Sequence, residues 1–126
     1  MQHPPETATV ADDLASFLAF WDARMGPGAG HRDIQERRAA NEAVTDAVCM
    51  PPPRDVSADT QHWIDTADGP VRLRIFRHES DGLQPGMIFF PGGAFVMGSP
   101  EAQRDIAAFI ASHCRMSVLS VDYAKA

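Results

Sequence analysis

The sequence FFPGGAFVMGS, residues 89–99, places two adjacent glycines directly after an apolar run. Glycine has no Cβ, so a strand that ends in Gly92 and Gly93 leaves main-chain N–H groups open to a ligand. Such groups can bind a phosphate, can stabilise an oxyanion, or can simply let the chain turn. Considered alone, two glycines indicate a plain turn more often than a site.

Spacing excludes several other kinds of site. No Gly-Lys-Ser or Gly-Lys-Thr follows the glycines, so the loop is not a nucleotide P-loop. Gly92, Gly93 and Gly98 do not fit the GxGxxG pattern of a dinucleotide-binding turn. Cys49 and Cys114 are far apart and lack CxxC spacing, which predicts two reduced thiols. We therefore expect no cofactor and no metal.

Composition narrows the class of partner. The chain has 126 residues, 44% of them hydrophobic, which is typical of one soluble domain or part of one. Its net charge of -6 argues against binding to nucleic acid or to an anionic membrane surface. No apolar run approaches the roughly 18 residues of a membrane helix, and the first residues do not resemble a signal peptide. We expect a cytoplasmic protein with no membrane span.

The elements that position the glycines fall into two groups. Apolar residues at helical spacing predict one helix from Val10 to about Arg24 and a second from about Arg32 to Val48. The prolines that begin at Pro51 forbid continuation of the second helix. We therefore divide the chain into a helical segment, residues 1–54, and an α/β segment, residues 55–126.

After the prolines, the apolar period changes to two. Alternation predicts an antiparallel pair of strands, about Thr60–Thr66 and Val71–His78, with one face towards water. Asp68 and Gly69 supply the turn between them. Met87–Phe90 is continuously apolar, which predicts a short strand buried on both faces.

A helix and a strand are predicted beyond the glycines. Ser99 and Pro100 fit the N-cap and the first position of a helix. Met116–Tyr123 reads as another strand, rich in apolar and β-branched residues. Strand, helix and strand in this order predict a parallel pair joined by a right-handed crossover. The residues expected on one side of the helix are Ile106, Phe109, Ile110 and His113.

Residues 60–126 resemble the N-terminal half of the hormone-sensitive-lipase family of α/β-hydrolase esterases. In that family an apolar strand ends in His-Gly-Gly-Gly-Phe-x-x-Gly-Ser/Thr, and a helix and a strand ending in VDYRLAPE follow. The residues that match in order and spacing are Gly92, Gly93, Phe95, Gly98, Asp122 and Tyr123. The resemblance implies the N-terminal half of an α/β-hydrolase fold, a mixed sheet of its first four strands preceded by two cap helices.

The resemblance also implies an oxyanion hole. The family's donors are the main-chain N–H groups of the second and third glycines, which correspond here to Gly93 and Ala94, while Gly92 would allow the turn. Each such donor is worth about 3 to 4 kcal/mol in the transition state. Pro91 replaces the family's histidine, which is thought to brace the loop by hydrogen bonding. Proline cannot do so, although its fixed φ can stiffen the turn.

Other residues near the motif have more than one interpretation. Phe95, together with Phe20 or Trp21, could line an acyl pocket, although each is more often a core residue. Asp122 could suggest a catalytic acid, but its match to the family places it at the end of a strand as a structural residue. Tyr123 is likewise expected to serve packing.

The nucleophile, acid and base of such an esterase are missing from the sequence. The family's nucleophile lies in a Gly-x-Ser-x-Gly elbow, and no serine of this chain has that spacing. We therefore expect the front part of a carboxylic-ester hydrolase that is inactive alone and acts on a small-molecule ester. The rest of the fold would come from a missing part or a partner chain. Without that part, Met87–Phe90 would be an uncovered apolar sheet edge.

Other interpretations stay open. Pro91 and Ala94 favour a non-catalytic small-molecule-binding or interaction domain derived from the same fold. The chain could also be a truncated product, half of a two-chain enzyme, or a remnant without function. The acyl and alcohol preference and the oligomeric state stay open as well, because the missing half completes the family's pocket.

Overall fold

A computed structural model describes residues 11–26 and 33–126, and within them three helices accompany one four-stranded sheet. The strand order is β1-β2-β4-β3, in which the β1–β2 and β2–β4 pairs are antiparallel and the β3–β4 pair is parallel. The mixed sheet and its parallel pair are therefore as predicted. The elements in chain order are α1 Asp12–Met25, α2 Ile34–Val48, β1 Val56–Thr66, β2 Gly69–His78, β3 Gly86–Phe89, α3 Arg104–Cys114 and β4 Ser117–Asp122.

Both N-terminal helices form where the apolar spacing predicts them. Val10 and Arg32, the residues at which we expected them to begin, lie outside the described residues. The Asp33 side chain caps α2 by accepting a hydrogen bond of 3.1 Å from the main-chain N–H of Gln35. Helix α1 buries no residue and α2 buries only Val44. The two helices therefore add little to the buried core.

The hairpin of β1 and β2 is longer than its sequence pattern indicates. Strand β1 begins at Val56, ahead of the predicted Thr60. Its pairing with β2 extends to the turn, where Thr66 pairs with Gly69. A register shift between Asp59 and His62 interrupts the alternation. Gly69 adopts a φ of 114° at the turn, a conformation that suits glycine.

The core lies between α3 and one face of the sheet. The predicted apolar stripe of α3 is largely wrong, since Ile106 is 48% exposed and His113 is exposed, while Ile110 does pack against the core. The helix instead buries small side chains, which let it approach the sheet closely. The buried cluster consists of Val56, Phe76, Ala107, Ala108, Ala111 and Val118.

Helix α3 also begins later than predicted. Ser99 accepts a hydrogen bond of 3.1 Å from the N–H of Ala102, as an N-cap would. The residues that follow form only a turn, and the α-helix begins at Arg104. Ser99 therefore caps a turn that directly precedes α3.

Strand β3 is not buried on both faces as predicted. Met87 and Phe89 pack towards the core, whereas Ile88 is 64% exposed. Ile88 lies beside Leu119, which in turn lies beside Ile75, on the sheet face turned away from α3. Because β3 is the last strand of the sheet order, its outer edge has no neighbour among the described strands.

Candidate functional site

The glycine-containing loop joins β3 to α3 at one edge of the sheet. Since β3 and β4 are parallel, their carboxyl ends meet there, and Tyr123, which follows β4, lies against the loop. This is the edge at which α/β proteins usually bind ligands. The loop therefore has the position expected of a binding element.

Two glycines allow the loop to pass close to itself. Gly93 has a φ of 147°, and a Cβ built on it would lie 2.1 Å from the carbonyl oxygen of Met97. Gly98 has a φ of 83°, and its Cβ would lie 2.0 Å from the carbonyl oxygen of Gly92. Gly92 has no such φ, and its Cβ would only touch the Gln103 side chain at 3.4 Å. The turn therefore requires Gly93 and Gly98 rather than Gly92, to which the family resemblance assigns it.

Ala94 and Phe95 adopt left-handed backbone conformations, with φ values of 54° and 60°. This conformation costs an L-residue about 1 to 2 kcal/mol, and it persists only where neighbouring contacts hold it. The methyl group of Ala94 is thus tolerated at the position where the family has its third glycine. Held strain of this kind is found preferentially at functional sites.

Side chains from two directions brace the entry to the loop. The Tyr123 hydroxyl donates a 2.7 Å hydrogen bond to the carbonyl oxygen of Pro91. The Gln103 side-chain amide accepts from the N–H of Gly92 at 3.0 Å and donates to the carbonyl oxygen of Gly92 at 3.2 Å. We expected Pro91 to be unable to brace the loop by hydrogen bonding as the family's histidine does. In this chain Tyr123 and Gln103 provide hydrogen bonds to the loop instead.

The exit of the loop is held by α2 and by the segment after β4. Arg38 of α2 donates through Nε to the carbonyl oxygen of Val96 at 2.8 Å and through Nη2 to the carbonyl oxygen of Ala126 at 2.7 Å. The N–H of Ala126 donates to the carbonyl oxygen of Phe95 at 2.9 Å. The predicted cap helix therefore contacts the loop directly.

These contacts fix the peptide groups of the two predicted donors. The Gly92 carbonyl, which shares a peptide plane with the Gly93 N–H, accepts from Gln103. The Gly93 carbonyl, which shares a plane with the Ala94 N–H, accepts from the N–H groups of Val96 at 3.0 Å and Met97 at 2.9 Å. In a trans peptide the N–H points away from the C=O. Neither the Gly93 nor the Ala94 N–H donates to any residue that the structure describes.

An open cleft of about 600 Å³ adjoins the loop, and its walls are mostly apolar. Phe95 is 73% exposed and contacts the Tyr123 ring edge-on, with centroids 5.9 Å apart, so it lines the cleft and is not a core residue. Within α1, Phe20 stacks on Phe17 and Trp21 packs against Phe17 at a tilt, and neither residue lines this cleft. The lining residues are Phe90, Pro91, Gly92, Gly93, Ala94, Phe95, Tyr123 and Ala124.

Asp122 lies beside the cleft within a cluster of ion pairs. Arg72 binds Asp122 at 2.8 Å and Glu101 at 2.8 Å, and Lys125 binds Asp122 at 2.9 Å. Burial opposes ionisation of Asp122, but the hydrogen bonds from Lys125 and Arg72 hold its pKa below the usual value. A carboxylate held by two cations is a poor proton acceptor. Its environment thus agrees with the structural role expected for it.

A serine, an aspartate and a histidine do meet in the structure, but at the opposite end of the sheet. Ser112 donates to both oxygens of Asp55, at 2.9 and 3.0 Å, and the His78 Nε2 lies 3.4 Å from Asp55. A catalytic triad needs the histidine between the other two residues, where it can take the serine proton. Here the aspartate is in the middle. This trio, which no sequence pattern indicates, therefore cannot activate Ser112.

The part of the chain that the structure describes offers few other features with a recognisable function. No group of histidine, cysteine, aspartate or glutamate side chains there is arranged to hold a metal ion. Cys49 and Cys114 are free thiols, and burial raises the pKa of Cys49, which makes it a weak nucleophile. None of the described helices is long and apolar enough to cross a membrane.

Comparisons with known proteins agree with this architecture. Residues 87–126 match a family model described as an alpha/beta hydrolase fold. An arylesterase from Saccharolobus solfataricus is 31% identical over 116 residues, which are 88% of this chain and 36% of the relative. The chain therefore spans little more than a third of the length of this relative.

Solved structures have the same fold. An ester hydrolase from the metagenome of Lake Arreo is 24% identical with a TM-score of 0.76, and the match covers 93% of this chain and 38% of that one. A hyperthermophilic esterase from Pyrobaculum calidifontis is 26% identical with a TM-score of 0.66, over 75% of this chain and 31% of that one. The fold is thus an N-terminal portion of the α/β-hydrolase fold. The family model, the arylesterase and the solved esterase structures together support the α/β-hydrolase family that the sequence motifs predict.

Proposed function

We propose that this chain supplies the oxyanion-hole loop of a carboxylic-ester hydrolase of the hormone-sensitive-lipase type, with the N–H groups of Gly93 and Ala94 as donors. One observation carries the proposal. Both donor peptides are fixed through their carbonyl groups, and both N–H groups are left without a partner in the described residues beside the cleft.

The chemistry of ester hydrolysis calls for such donors. A nucleophile that attacks the ester carbonyl produces a tetrahedral intermediate with negative charge on the former carbonyl oxygen. Two N–H groups that are fixed in advance stabilise this charge without reorganising during the reaction, and each contributes about 3 to 4 kcal/mol. Hydrogen bonds accepted by the carbonyls of the same peptides polarise the N–H groups and strengthen them as donors.

The nucleophile, acid and base come, in this proposal, from a further segment or a second polypeptide that completes the sheet. Three observations support this. The sequence has no Gly-x-Ser-x-Gly, and the trio at Ser112 has the wrong order for catalysis. Strand β3 ends the described sheet, and Ile88 is exposed on the face turned away from α3, so both an edge and an apolar face are left uncovered there. This chain alone would then be inactive.

The cleft indicates the kind of substrate. Its wall of aromatic rings and main chain suits a small, uncharged ester, and the chemistry requires neither a metal nor a cofactor. The free thiols of Cys49 and Cys114 fit a reducing compartment, and we propose the cytoplasm.

Hydrolysis of a short-chain p-nitrophenyl ester tests the proposal. The chain is assayed alone and after mixing with a polypeptide that carries the rest of the fold, taken from the Saccharolobus solfataricus arylesterase. A chimera that joins the two in one polypeptide is assayed in parallel. We expect activity only in the mixture or the chimera, and we expect Gly93→Ala to abolish it while Gly92→Ala preserves most of it.

Two other outcomes would contradict the proposal. Activity of the chain alone would mean that a nucleophile exists within it. The other is that neither the mixture nor the chimera hydrolyses the ester, while an unreactive analogue of that ester still binds in the cleft. That result would favour the non-catalytic binding domain.

A further inference from the structure

Gln103 contacts the oxyanion loop from a rigid position. It is the last residue before α3, and its carbonyl oxygen accepts from the N–H of Ala107, a buried residue of that helix, at 3.2 Å. Its side-chain amide forms a reciprocal pair with Gly92, accepting at 3.0 Å and donating at 3.2 Å. The helix packed on the core is thus connected to the loop through one amide group.

We propose that Gln103 is a positioning residue that orients the Gly93 N–H, an inference that rests on the function proposed above. The carbonyl oxygen of Gly92 and the N–H of Gly93 belong to one planar trans peptide, and the described residues contain no cis peptide. The Gln103 Nε2 holds that carbonyl. Any rotation of the peptide that breaks this hydrogen bond also turns the Gly93 N–H away from its direction.

The second donor is oriented by a separate route. The Ala94 N–H follows the Gly93 carbonyl, which the main-chain N–H groups of Val96 and Met97 hold. The hydrogen bonds of the Gln103 side chain in the described residues go to Gly92 and not to that peptide. Loss of the Gln103 amide should therefore disturb the Gly93 N–H and leave the Ala94 N–H nearly unchanged, which a general loosening of the loop would not do.

The geometry also accounts for the residue type. The pair with Gly92 requires one donor and one acceptor on the same side chain, as an amide provides. An ionised carboxylate has the same shape but only accepts, so it would place a negative oxygen against the Gly92 carbonyl. A protonated carboxyl again has one donor and one acceptor. The effect of Gln103→Glu should therefore reverse in acid, whereas Gln103→Met, which has neither group, should not recover.

The amide resonances of the 126-residue chain provide the first test, without any need for activity. We expect Gln103→Glu to shift the Gly92 and Gly93 resonances at pH 7 and to spare that of Ala94. The shifts should return as the introduced carboxyl protonates, near a pH of about 4. Two acidic residues, Glu101 and Asp105, are close to Gln103 in the sequence, so the unsubstituted chain is followed over the same pH range as a control.

Two results would overturn the assignment. One is a Gly93 resonance that does not move in either Gln103→Glu or Gln103→Met. The other is an Ala94 resonance that moves as far as that of Gly93. Gln103→Met introduces no charge and keeps the length of the side chain, so it provides the test should the charged variant fail to fold.

The completed enzyme provides the second test. We expect Gln103→Glu to lower kcat by about 10- to 100-fold, part of the loss seen when one oxyanion donor is removed, with KM within about twofold. Gln84→Glu is the matched control, because the Gln84 amide also donates to main-chain carbonyls, those of His78 at 2.6 Å and Ser80 at 3.1 Å, outside the loop. An equal loss in both variants would contradict a positioning role. If the unsubstituted enzyme hydrolyses no ester, the proposed function fails, and the resonances still decide the role of Gln103.

Discussion

The Tyr123 hydroxyl hydrogen-bonds to the carbonyl oxygen of Pro91 at 2.7 Å, and so connects the ends of two parallel strands across the loop. Pro91 is buried and has no side-chain donor, but its carbonyl remains an acceptor. The proline that replaces the family's histidine is therefore compatible with a braced loop. The brace is the hydroxyl of Tyr123, the residue that follows β4, in place of a side chain at position 91.

Removal of this hydroxyl should weaken the fold measurably. We expect Tyr123→Phe to lower the free energy of unfolding in urea by about 1 kcal/mol, because the ring contacts stay while one hydrogen bond is lost. Thr66→Val is the control, since it removes a hydroxyl that donates to the carbonyl of Gly69 at 2.6 Å in the exposed hairpin turn. A loss for Tyr123→Phe no larger than that of the control would contradict the bracing role.

The glycines of the loop should differ sharply in their tolerance of a methyl group. We expect Gly93→Ala and Gly98→Ala each to lower the free energy of unfolding by about 1 to 3 kcal/mol, because the new Cβ would overlap main-chain atoms. Gly92→Ala should cost less than about 1 kcal/mol, since it meets only the movable end of the Gln103 side chain. The measurement is unfolding in urea. If Gly92→Ala and Gly93→Ala lowered the free energy of unfolding equally, the close approach of the loop to itself would not be the reason for the glycines.

The ion-pair cluster should make stability depend on pH. The hydrogen bonds from Arg72 lower the pKa of Glu101, and those from Lys125 and Arg72 outweigh burial to lower the pKa of Asp122. A carboxyl with a lowered folded-state pKa contributes stability above its unfolded pKa of about 4, and this contribution is lost as pH falls through the folded value. The free energy of unfolding should therefore decrease below a pH of about 5.

Arg72→Gln tests the origin of this decrease. We expect the variant to be less stable than the unsubstituted chain at pH 7 and to lose less stability between pH 7 and pH 3, measured by urea unfolding at each pH. Arg77→Gln is the control, because it removes the same charge from an exposed position of the same strand. Parallel pH profiles for the two variants would exclude Arg72 as the source.

The sequence predicts the elements of this fold better than it predicts their contacts. Alternation of Val71, Leu73 and Ile75 depends only on local geometry, and the strand they predict is present. The inward face of α3 is different, because sequence hydrophobicity favours Ile106 whereas the distance to the sheet favours the smaller Ala107. Burial on this helix depends on which side chains are small enough to fit against the sheet. A short stretch of sequence does not show how close the sheet lies.

The candidate site is predictable to a similar extent. The contiguous motif that includes Gly93, Ala94 and Gly98 locates the loop, and the family resemblance carried by that motif points to its two proposed donors. The braces are not predictable, since Gln103 and Tyr123 reach the main chain from 11 and 32 residues away and leave no local pattern. The sequence therefore indicates the two proposed donors, and the structure adds the contacts that we propose orient them.

The exposed edge of β3 leads to a last prediction. Ile88 is 64% exposed on a strand whose outer edge pairs with none of the described strands, which favours association with other chains. We expect Ile88→Lys to reduce the concentration-dependent self-association of the chain, measured by sedimentation velocity. The free energy of unfolding should change by less than about 0.5 kcal/mol. The activity recovered on mixing with the rest of the fold should decrease. Leu83→Lys makes the same change in a fully exposed loop and should alter none of the three. Recovered activity that is equal in the two variants would show that the partner does not cover this edge.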